Sequence, residues 1–366
     1  MTFQLFLFIV TILYVCQIWI FFIGLRRNRD QSGIVSPTNL SVSVIIAARN
    51  EEANIYNCLE SVANQSYPVS SYEIIVINDG STDGTETICG EFIKRYSNIK
   101  MIQVVDDAIV RGKANALAQG IEAAQGEIIL ITDADCTVQK TWVEQTAIRY
   151  SPAVGLIGGF TLQKATTPFE GMQSLDWTFI LGMAAATAGL GNPLGSIGNN
   201  LSFRKSAYNQ VGGYRKLKFS VTEDYTVVQA IVGLKKWKYL YPIDLRHYVE
   251  SKACPNFQYL IRQKHRWGKG GLDMKPIGFT IMVIGYFMHL TPWIMLFGGG
   301  VIQAAAAFTI KFIADYIFLH QILNRIDRKD DLRWFAWFEI YFMIYVLLLP
   351  FLVFFGGNVK WKGREY

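Results

Sequence analysis

The chain has 366 residues, of which 51% are hydrophobic and 17% charged, and its mean hydropathy is positive at +0.22. This length accommodates one large domain or two small ones, and the apolar excess argues against a purely soluble protein. The net charge of +6 is modest. Because the basic residues cluster beside apolar segments, we expect lipid headgroups rather than nucleic acid as their partners.

The first apolar segment, residues 3–25, is long enough to cross a hydrocarbon core about 30 Å thick. A cleaved signal peptide would carry its positive charge before the apolar run, whereas here Arg26, Arg27 and Arg29 follow it. By the positive-inside rule we predict a transmembrane helix over residues 1–25, a linker over 26–40 and a cytoplasmic body. The five cysteines show no metal-ligand spacing, which is typical of a reducing compartment.

The middle of the chain alternates between strand and helix patterns. β-Branched apolar runs predict strands at residues 42–46, 72–77, 100–105 and 127–132, with helical spacing between them. This alternation predicts a parallel sheet that binds its ligand beyond the carboxyl ends of the strands. Between residues 155 and 198, scattered glycines predict loops that wrap the binding cleft.

Three further apolar segments follow, at residues 276–298, 301–319 and 334–356. Lys311 and Asp315 are four residues apart in the second of them, and we expect them to pair on one helical face. Three crossings would leave the basic tail, residues 360–364, outside, against the positive-inside rule. One segment is therefore expected to lie along the membrane surface, although the sequence does not indicate which. We predict a multi-pass protein of the cell membrane.

The most informative motif is a hydrophobic strand that ends in Asp133-Ala134-Asp135. Carboxylate oxygens are the ligands that Mg²⁺ or Mn²⁺ prefers, and such a cation also neutralises a departing diphosphate. The motif therefore suits a nucleotide-diphosphate leaving group. The alternative is an ordinary turn, since aspartate is common in turns.

Two other acidic sites precede or begin predicted helices. Asp79 and Asp83 follow the second strand in a glycine-containing loop, where they can accept hydrogen bonds from a base or ribose, or simply form a turn. Glu223 and Asp224 lie where a helix begins, and either cap the helix or supply a general base to an attacking hydroxyl.

A basic and aromatic segment precedes the second apolar region. Gln263, Arg266 and Trp267 are either part of an interfacial belt or a site for a diphosphate and a sugar acceptor. Lys113 at a helix start is either a phosphate ligand or part of a plain cap.

Six short elements occur in one order along the chain: Asn50-Glu51, Asp79-Gly80-Ser81-Thr82-Asp83, Lys113-Ala114-Asn115, Asp133-Ala134-Asp135, Glu223-Asp224 and Gln263-x-x-Arg266-Trp267. Together they resemble the membrane-bound inverting glycosyltransferases of family 2, over roughly residues 42–267. The residues before Asn50 depart from the family pattern, which often has Pro-x-Tyr there, since this chain has Ala47, Ala48 and Arg49.

The resemblance implies a GT-A fold of the α/β, Rossmann-like class over residues 41–255, an interfacial acceptor-side segment over 256–275, and a membrane region over 276–366 with about three apolar helices. It assigns Glu51, Asp79, Asp83 and Lys113 to donor binding, with Asp79 near the nucleotide base. Asp133 and Asp135 would serve the diphosphate and its Mg²⁺ or Mn²⁺. Glu223 and Asp224 would be catalytic, with Asp224 as the base, and Gln263, Arg266 and Trp267 would line the diphosphate and acceptor side.

The expected donor is a nucleotide-sugar, specifically a UDP-hexose, and the acceptor is a lipid or a glycan. Members of the family that resemble this chain glucosylate lipids such as ceramide, hopanoids or carotenoids, whereas others are processive polysaccharide synthases. We favour a lipid hydroxyl as the acceptor, because at most four apolar segments offer little material for a polymer channel. A non-catalytic nucleotide-sugar receptor and a transporter are the alternatives from other classes.

Overall fold

The computed structural model of the protein describes residues 2–31 and 40–365, without the side chains of residues 2, 3, 30, 31, 360, 361 and 365. Its helices are α1 Thr2–Gln31, α2 Ile55–Ala63, α3 Thr85–Arg95, α4 Gly112–Ala123, α5 Trp142–Ala147, α6 Pro168–Gly189, α7 Lys205–Gln210, α8 Glu223–Gly233, α9 Phe257–Gly271, α10 Pro276–Phe297, α11 Val301–Arg325 and α12 Phe335–Phe355. Its strands are β1 Val42–Ala48, β2 Tyr72–Asn78, β3 Ile99–Gln103, β4 Ile128–Asp133, β5 Thr137–Val138, β6 Val154–Gly158, β7 Thr161–Gln163, β8 Leu201–Arg204, β9 Lys238–Leu240, β10 Val249–Ser251, β11 Lys360–Trp361 and β12 Arg364–Glu365.

A seven-stranded sheet forms the centre of the α/β domain, from which catalytic activity is expected, in the order β3-β2-β1-β4-β8-β6-β9. The first four of these strands in the order are parallel, while β8 runs antiparallel to both β4 and β6. The strands β1 and β4 are buried on both faces, because helices cover the sheet on either side. The strands predicted from β-branched runs are therefore present, and the fold is of the predicted α/β class.

The register of the sheet determines where the polar loops meet. Ala48 at the end of β1 lies beside Asn78 at the end of β2, and Ala47 lies beside Asp133 at the end of β4. Because these strands are parallel, the segments that follow them emerge at one edge of the sheet. The loops that carry Glu51, Asp79 and Asp135 therefore begin next to one another.

Two predicted boundaries are wrong. The linker expected from residue 26 does not begin there, because α1 continues to Gln31; the rest of that linker, residues 32–39, lies outside the described residues. The glycine-rich region expected to form loops contains two strands and the 22-residue helix α6. At Gly189 the close packing of α6 against α1 requires glycine, because a side chain there would collide with the backbone of Gly24.

Four described helices are long and apolar enough to cross a membrane, at residues 4–29, 276–297, 301–325 and 329–355. The protein is therefore membrane-associated. A hydrophobic cluster joins these helices to α6 of the catalytic domain, for example through Phe179, which packs against Phe318 and Phe342. The helical region is thus continuous with the catalytic domain.

The predicted pairing within α11 is confirmed, and it has a third member. The ammonium of Lys311 lies 2.7 Å from a carboxylate oxygen of Asp315 and 2.7 Å from one of Glu339 in α12. The hydroxyl of Tyr14 in α1 donates to the other oxygen of Asp315. All of these side chains are buried, so the charges compensate one another inside the protein.

Candidate active site

The loops after β1 and β2 interlock through hydrogen bonds. Asn50, whose φ of 52° is in the left-handed region, accepts a bond from the backbone N–H of Thr82 at 2.8 Å. Asp83 accepts from the backbone N–H of Glu52 at 3.1 Å and from the hydroxyl of Thr85 at 2.5 Å. Both carboxylate oxygens of Asp83 are therefore used in holding these two loops together.

The C-terminal tail, residues 356–365, returns to these loops. The guanidinium of Arg364 donates two hydrogen bonds to the carboxylate of Asp79, at 2.6 and 3.0 Å. The ammonium of Lys362 pairs with Glu51 and donates to the backbone carbonyl of Arg49 at 3.1 Å. The sequence placed Glu51 and Asp79 on the donor side, and the structure adds one basic partner for each, Lys362 for Glu51 and Arg364 for Asp79.

The end of β4 faces the start of two helices. The ammonium of Lys113, in the first turn of α4, lies 2.5 Å from Asp133 and 3.3 Å from Glu223 in the first turn of α8. Burial alone would lower the pKa of Lys113, but the two carboxylates raise it, so the side chain remains an ammonium. Although burial by itself raises the pKa of Asp133, the Lys113 charge lowers it overall. The ammonium of Lys113 therefore bridges Asp133 and Glu223, both of which are predicted site residues.

Asp224 directly follows Glu223 but contacts different groups. Thr222 precedes the helix without capping it through its side chain, and Asp224 accepts from the backbone N–H of Tyr225 at 2.8 Å. Burial, followed by the neighbouring Glu223 carboxylate, raises the pKa of Asp224 to about 6. A carboxyl group with this pKa is ionised at neutral pH and can take a proton from a hydroxyl, which is the property that a general base needs.

Asp135, just after β4, lies near the carboxylates of Asp133 and Glu51. Its side chain is open to solvent on one side, and its described hydrogen-bond contact is with the thiol of Cys136 at 3.4 Å. Desolvation by the surrounding protein atoms, then the carboxylates of Asp133 and Glu51, raises the pKa of Asp135, and the nearby ammonium of Lys362 offsets this only in part. Burial also raises the pKa of the Cys136 thiol, so that side chain remains neutral beside the acids.

Helix α9 brings part of the basic and aromatic segment to this cleft. Arg266 lines the same cavity as Arg111, Lys113 and Glu223. Trp267 packs against Trp177 of α6, with ring centroids 5.1 Å apart, and Gln263 is half-exposed on the same helix. Of this segment, Arg266 shares the cleft directly, while Trp267 lies in the contact between α9 and α6.

Sequence reasoning missed Lys362, Arg364 and the contacts of Arg49 with the loop after β2 and with the tail. Arg49 donates to the backbone carbonyl of Asp79 at 2.6 Å, so the residue that departs from the family pattern supports the donor-side loop. The only signal for the tail was a cluster of basic residues at the end of the chain. Its partner Asp79 lies 285 residues earlier than Arg364, a distance over which charge patterns predict nothing.

Two family models match the chain. Residues 43–212 match glycosyl transferase family 2, and residues 128–356, more than half of the chain, match glycosyl transferase family group 2. The chain belongs to this family of glycosyltransferases. The resemblance drawn from its short elements is thereby confirmed.

The curated relatives of this glycosyltransferase include synthases that are named for different products. It is 38% identical to glycosyltransferase AglE of Haloferax volcanii over 35% of this chain and 43% of the relative. It is 29% identical to β-monoglucosyldiacylglycerol synthase of Nostoc sp., over 63% of this chain and 48% of the relative. It is 28% identical to poly-β-1,6-N-acetyl-D-glucosamine synthase of Staphylococcus epidermidis, over 64% of this chain and 55% of the relative. The chain spans about half the length of these curated relatives.

A solved structure shares the fold. The mannosyltransferase PcManGT from Pyrobaculum calidifontis, solved in complex with GDP-Man and Mn²⁺, superposes with a TM-score of 0.60 at 18% sequence identity, over 96% of this chain and 100% of that one. The GT-A fold predicted from the sequence is confirmed by this likeness.

Proposed function

We propose that this glycosyltransferase moves a sugar from a UDP-hexose to a hydroxyl group of a membrane lipid, with inversion at the sugar carbon. The observation that carries the proposal is the arrangement around Lys113. Its ammonium touches Asp133 on the diphosphate side and Glu223 beside the base, so the two halves of a transfer site are adjacent.

In this proposal the chain's own residues bind the donor and remove one proton. Glu51 and Asp79 lie at the nucleotide end, with Asp83 holding their loop. Lys113 and Arg266 offer positive charge where negative charge develops on the leaving diphosphate. Asp224 takes the proton of the acceptor hydroxyl as that oxygen forms the new bond to the sugar carbon. Gln263 and Trp267 are proposed to line the acceptor side.

We propose Mg²⁺ or Mn²⁺ as the cofactor, held by Asp135 and Asp133. Among residues 2–31 and 40–365, no group of three or more His, Cys, Asp or Glu side chains is placed to hold a metal by itself. The carboxylates of Asp135 and Asp133, the second of which also pairs with Lys113, fit a cation that takes its remaining ligands from a diphosphate and water. A bound cation supplies positive charge to the leaving group. The presence of Mn²⁺ in the PcManGT complex supports this proposal.

The helical region favours a lipid acceptor over a growing polymer. The space between α1, α11 and α12 is filled by fully buried side chains, among them Lys311, Phe318 and Phe338. A packed interior of this kind leaves no passage for a polysaccharide between these helices. The diacylglycerol-glucosylating relative in Nostoc supports the same acceptor class.

The test is to incubate membranes that contain the protein with a panel of radiolabelled UDP-sugars and Mn²⁺, and then to separate lipid from insoluble polymer. We expect label in the organic phase, none with Asp224→Asn, and unchanged transfer with Glu91→Gln, an exposed acid on α3 that serves as the matched control. Label in high-mass polymer would replace the lipid acceptor with a polysaccharide. Full transfer by Asp224→Asn would refute the assignment of the base.

A further inference from the structure

Both ends of α12 lie on the catalytic domain's side of the helical region. Just before the helix, Arg328 donates to the backbone carbonyl of Gln163 in β7 at 3.0 Å. Trp334 rests so closely on Gly171 of α6 that a side chain there would collide with its ring. Just after the helix, the tail places Lys362 against Glu51.

The length of the tail excludes a crossing. Residues 356–361 separate the end of α12 from Lys362. Fully extended, this stretch reaches on the order of 25 Å at about 3.5 Å per residue. A hydrocarbon core is about 30 Å thick, and Lys362 must reach a residue beyond the membrane surface. A helix that left its end on the far side could not return its tail to Glu51.

Contacts along α12 hold it to two helices of the catalytic domain. The hydroxyl of Tyr341 donates to Asp176 of α6 at 3.3 Å. The ammonium of Lys264 in α9 pairs with the same Asp176 and lies 4.9 Å from the ring centre of Tyr345. One turn further along α9, Gly268 approaches Val353 closely. The helix is therefore attached to α6 and α9 through most of its length.

The other face of α12 is apolar and exposed. Its large side chains, between 51% and 82% exposed, recur at intervals of three or four residues: Trp337, Ile340, Ile344, Leu348, Phe351 and Phe355. This spacing places them on one side of the helix. Apolar side chains are exposed on α10 and α11 as well, for example Val283 and Ile313.

We propose that α12 does not cross the bilayer, and that its exposed face rests in the lipid of the leaflet nearest the catalytic domain. The protein then crosses the membrane three times, through α1, α10 and α11, and its C-terminus stays on the catalytic side. This resolves which apolar segment lies along the surface, and it agrees with the basic character of the tail under the positive-inside rule.

The test compares three single cysteine substitutions at exposed positions in intact cells and after permeabilisation, with a membrane-impermeant maleimide. Asp330→Cys precedes α12, Asn358→Cys follows it, and Val301→Cys is at the start of α11, just after the turn from α10. We expect Asn358→Cys to label together with Asp330→Cys and oppositely to Val301→Cys. Labelling of Asn358→Cys together with Val301→Cys would overturn the proposal. The unmodified chain is the blank: Cys58, Cys89 and Cys136 are buried, and any labelling of the exposed Cys16 or the half-buried Cys254 is subtracted.

A nitroxide at Ile344→Cys in reconstituted vesicles, in a chain whose exposed Cys16 and half-buried Cys254 are replaced by serine, identifies what covers the exposed face. We expect its relaxation to respond to oxygen but not to a water-soluble nickel chelate. A response to the nickel chelate would mean that water covers this face, and protection from both reagents would mean that a protein does; either result would refute the contact with lipid. Neither measurement uses transferase activity, so the outcome is independent of the proposed reaction.

Discussion

Arg364, at the end of the chain, forms a two-pronged ion pair with Asp79 at the end of β2, with N–O distances of 2.6 and 3.0 Å. Asp79 is only 4% exposed, so Arg364 compensates a buried charge in the loop that we assign to the nucleotide base. The tail is thereby part of the proposed donor site.

We expect Arg364→Ala to weaken UDP binding about tenfold, equivalent to about 1.4 kcal/mol, because Asp79 would lose its charge partner and the loop its support. Isothermal titration with UDP in detergent measures this. Arg95→Ala is the matched control, since it removes an arginine from a 3.6 Å surface pair on α3. Tighter binding by Arg364→Ala would show instead that the tail competes with the nucleotide.

The pH dependence should follow Asp224. Its pKa is raised to about 6, and a general base works only when deprotonated, so kcat/KM should fall about tenfold per pH unit as the pH drops below that value. If the pKa of Asp224 had the ordinary value for aspartate, the enzyme would retain its activity down to about pH 4. Glu223→Gln removes the adjacent negative charge and should move this limb to lower pH. A limb that stays in place in Glu223→Gln contradicts the assignment.

The metal concentration that the enzyme needs for activity should depend on Asp135. Chelation with EDTA should abolish transfer, and Mn²⁺ or Mg²⁺ should restore it. With Asp135→Asn, the metal concentration for half-maximal activity should rise by more than about tenfold, because a neutral amide is a weaker ligand than a carboxylate. Glu91→Gln should behave like the unmodified protein. Activity that survives EDTA would remove the metal from the proposal.

Lys311 should be essential for stability. Lys311→Met leaves Asp315 and Glu339 buried without a positive charge, which should destabilise the protein by about 3–5 kcal/mol. Thermal unfolding in detergent measures the loss. The triple variant Lys311→Met, Asp315→Leu, Glu339→Leu should recover most of it, since no charge remains buried. Equal instability of the single and triple variants would argue that packing, rather than charge, accounts for the loss.

The parallel strands and the acidic motifs could be predicted because their signals are local. The run from Val42 to Ile46 is mostly β-branched, and it is buried on both faces as β1. Asp133 and Asp135 follow such a run directly, so that strand end fixes their position. The meeting of Asp133 with Glu223 was expected only from the resemblance, because Lys113 joins them across separate elements.

Helix α6 escaped prediction because nearly all of its sides are buried, so its sequence has no polar face and no clear helical periodicity. A start signal was nevertheless present. Thr167 accepts from the backbone N–H of Glu170, whose side chain accepts from that of Thr167, and Pro168 occupies the first helical position. This capping box is readable from the sequence, whereas the glycines before and after it suggested loops.

Because one ammonium neutralises both Asp133 and Glu223, the two acids draw on the same positive charge. Binding of a diphosphate beside Asp133 would change how strongly the Lys113 ammonium neutralises Glu223, the residue next to Asp224. The readiness of the base to accept a proton is then thermodynamically linked to the presence of the donor. Such linkage would restrain the enzyme from activating water when no sugar is bound.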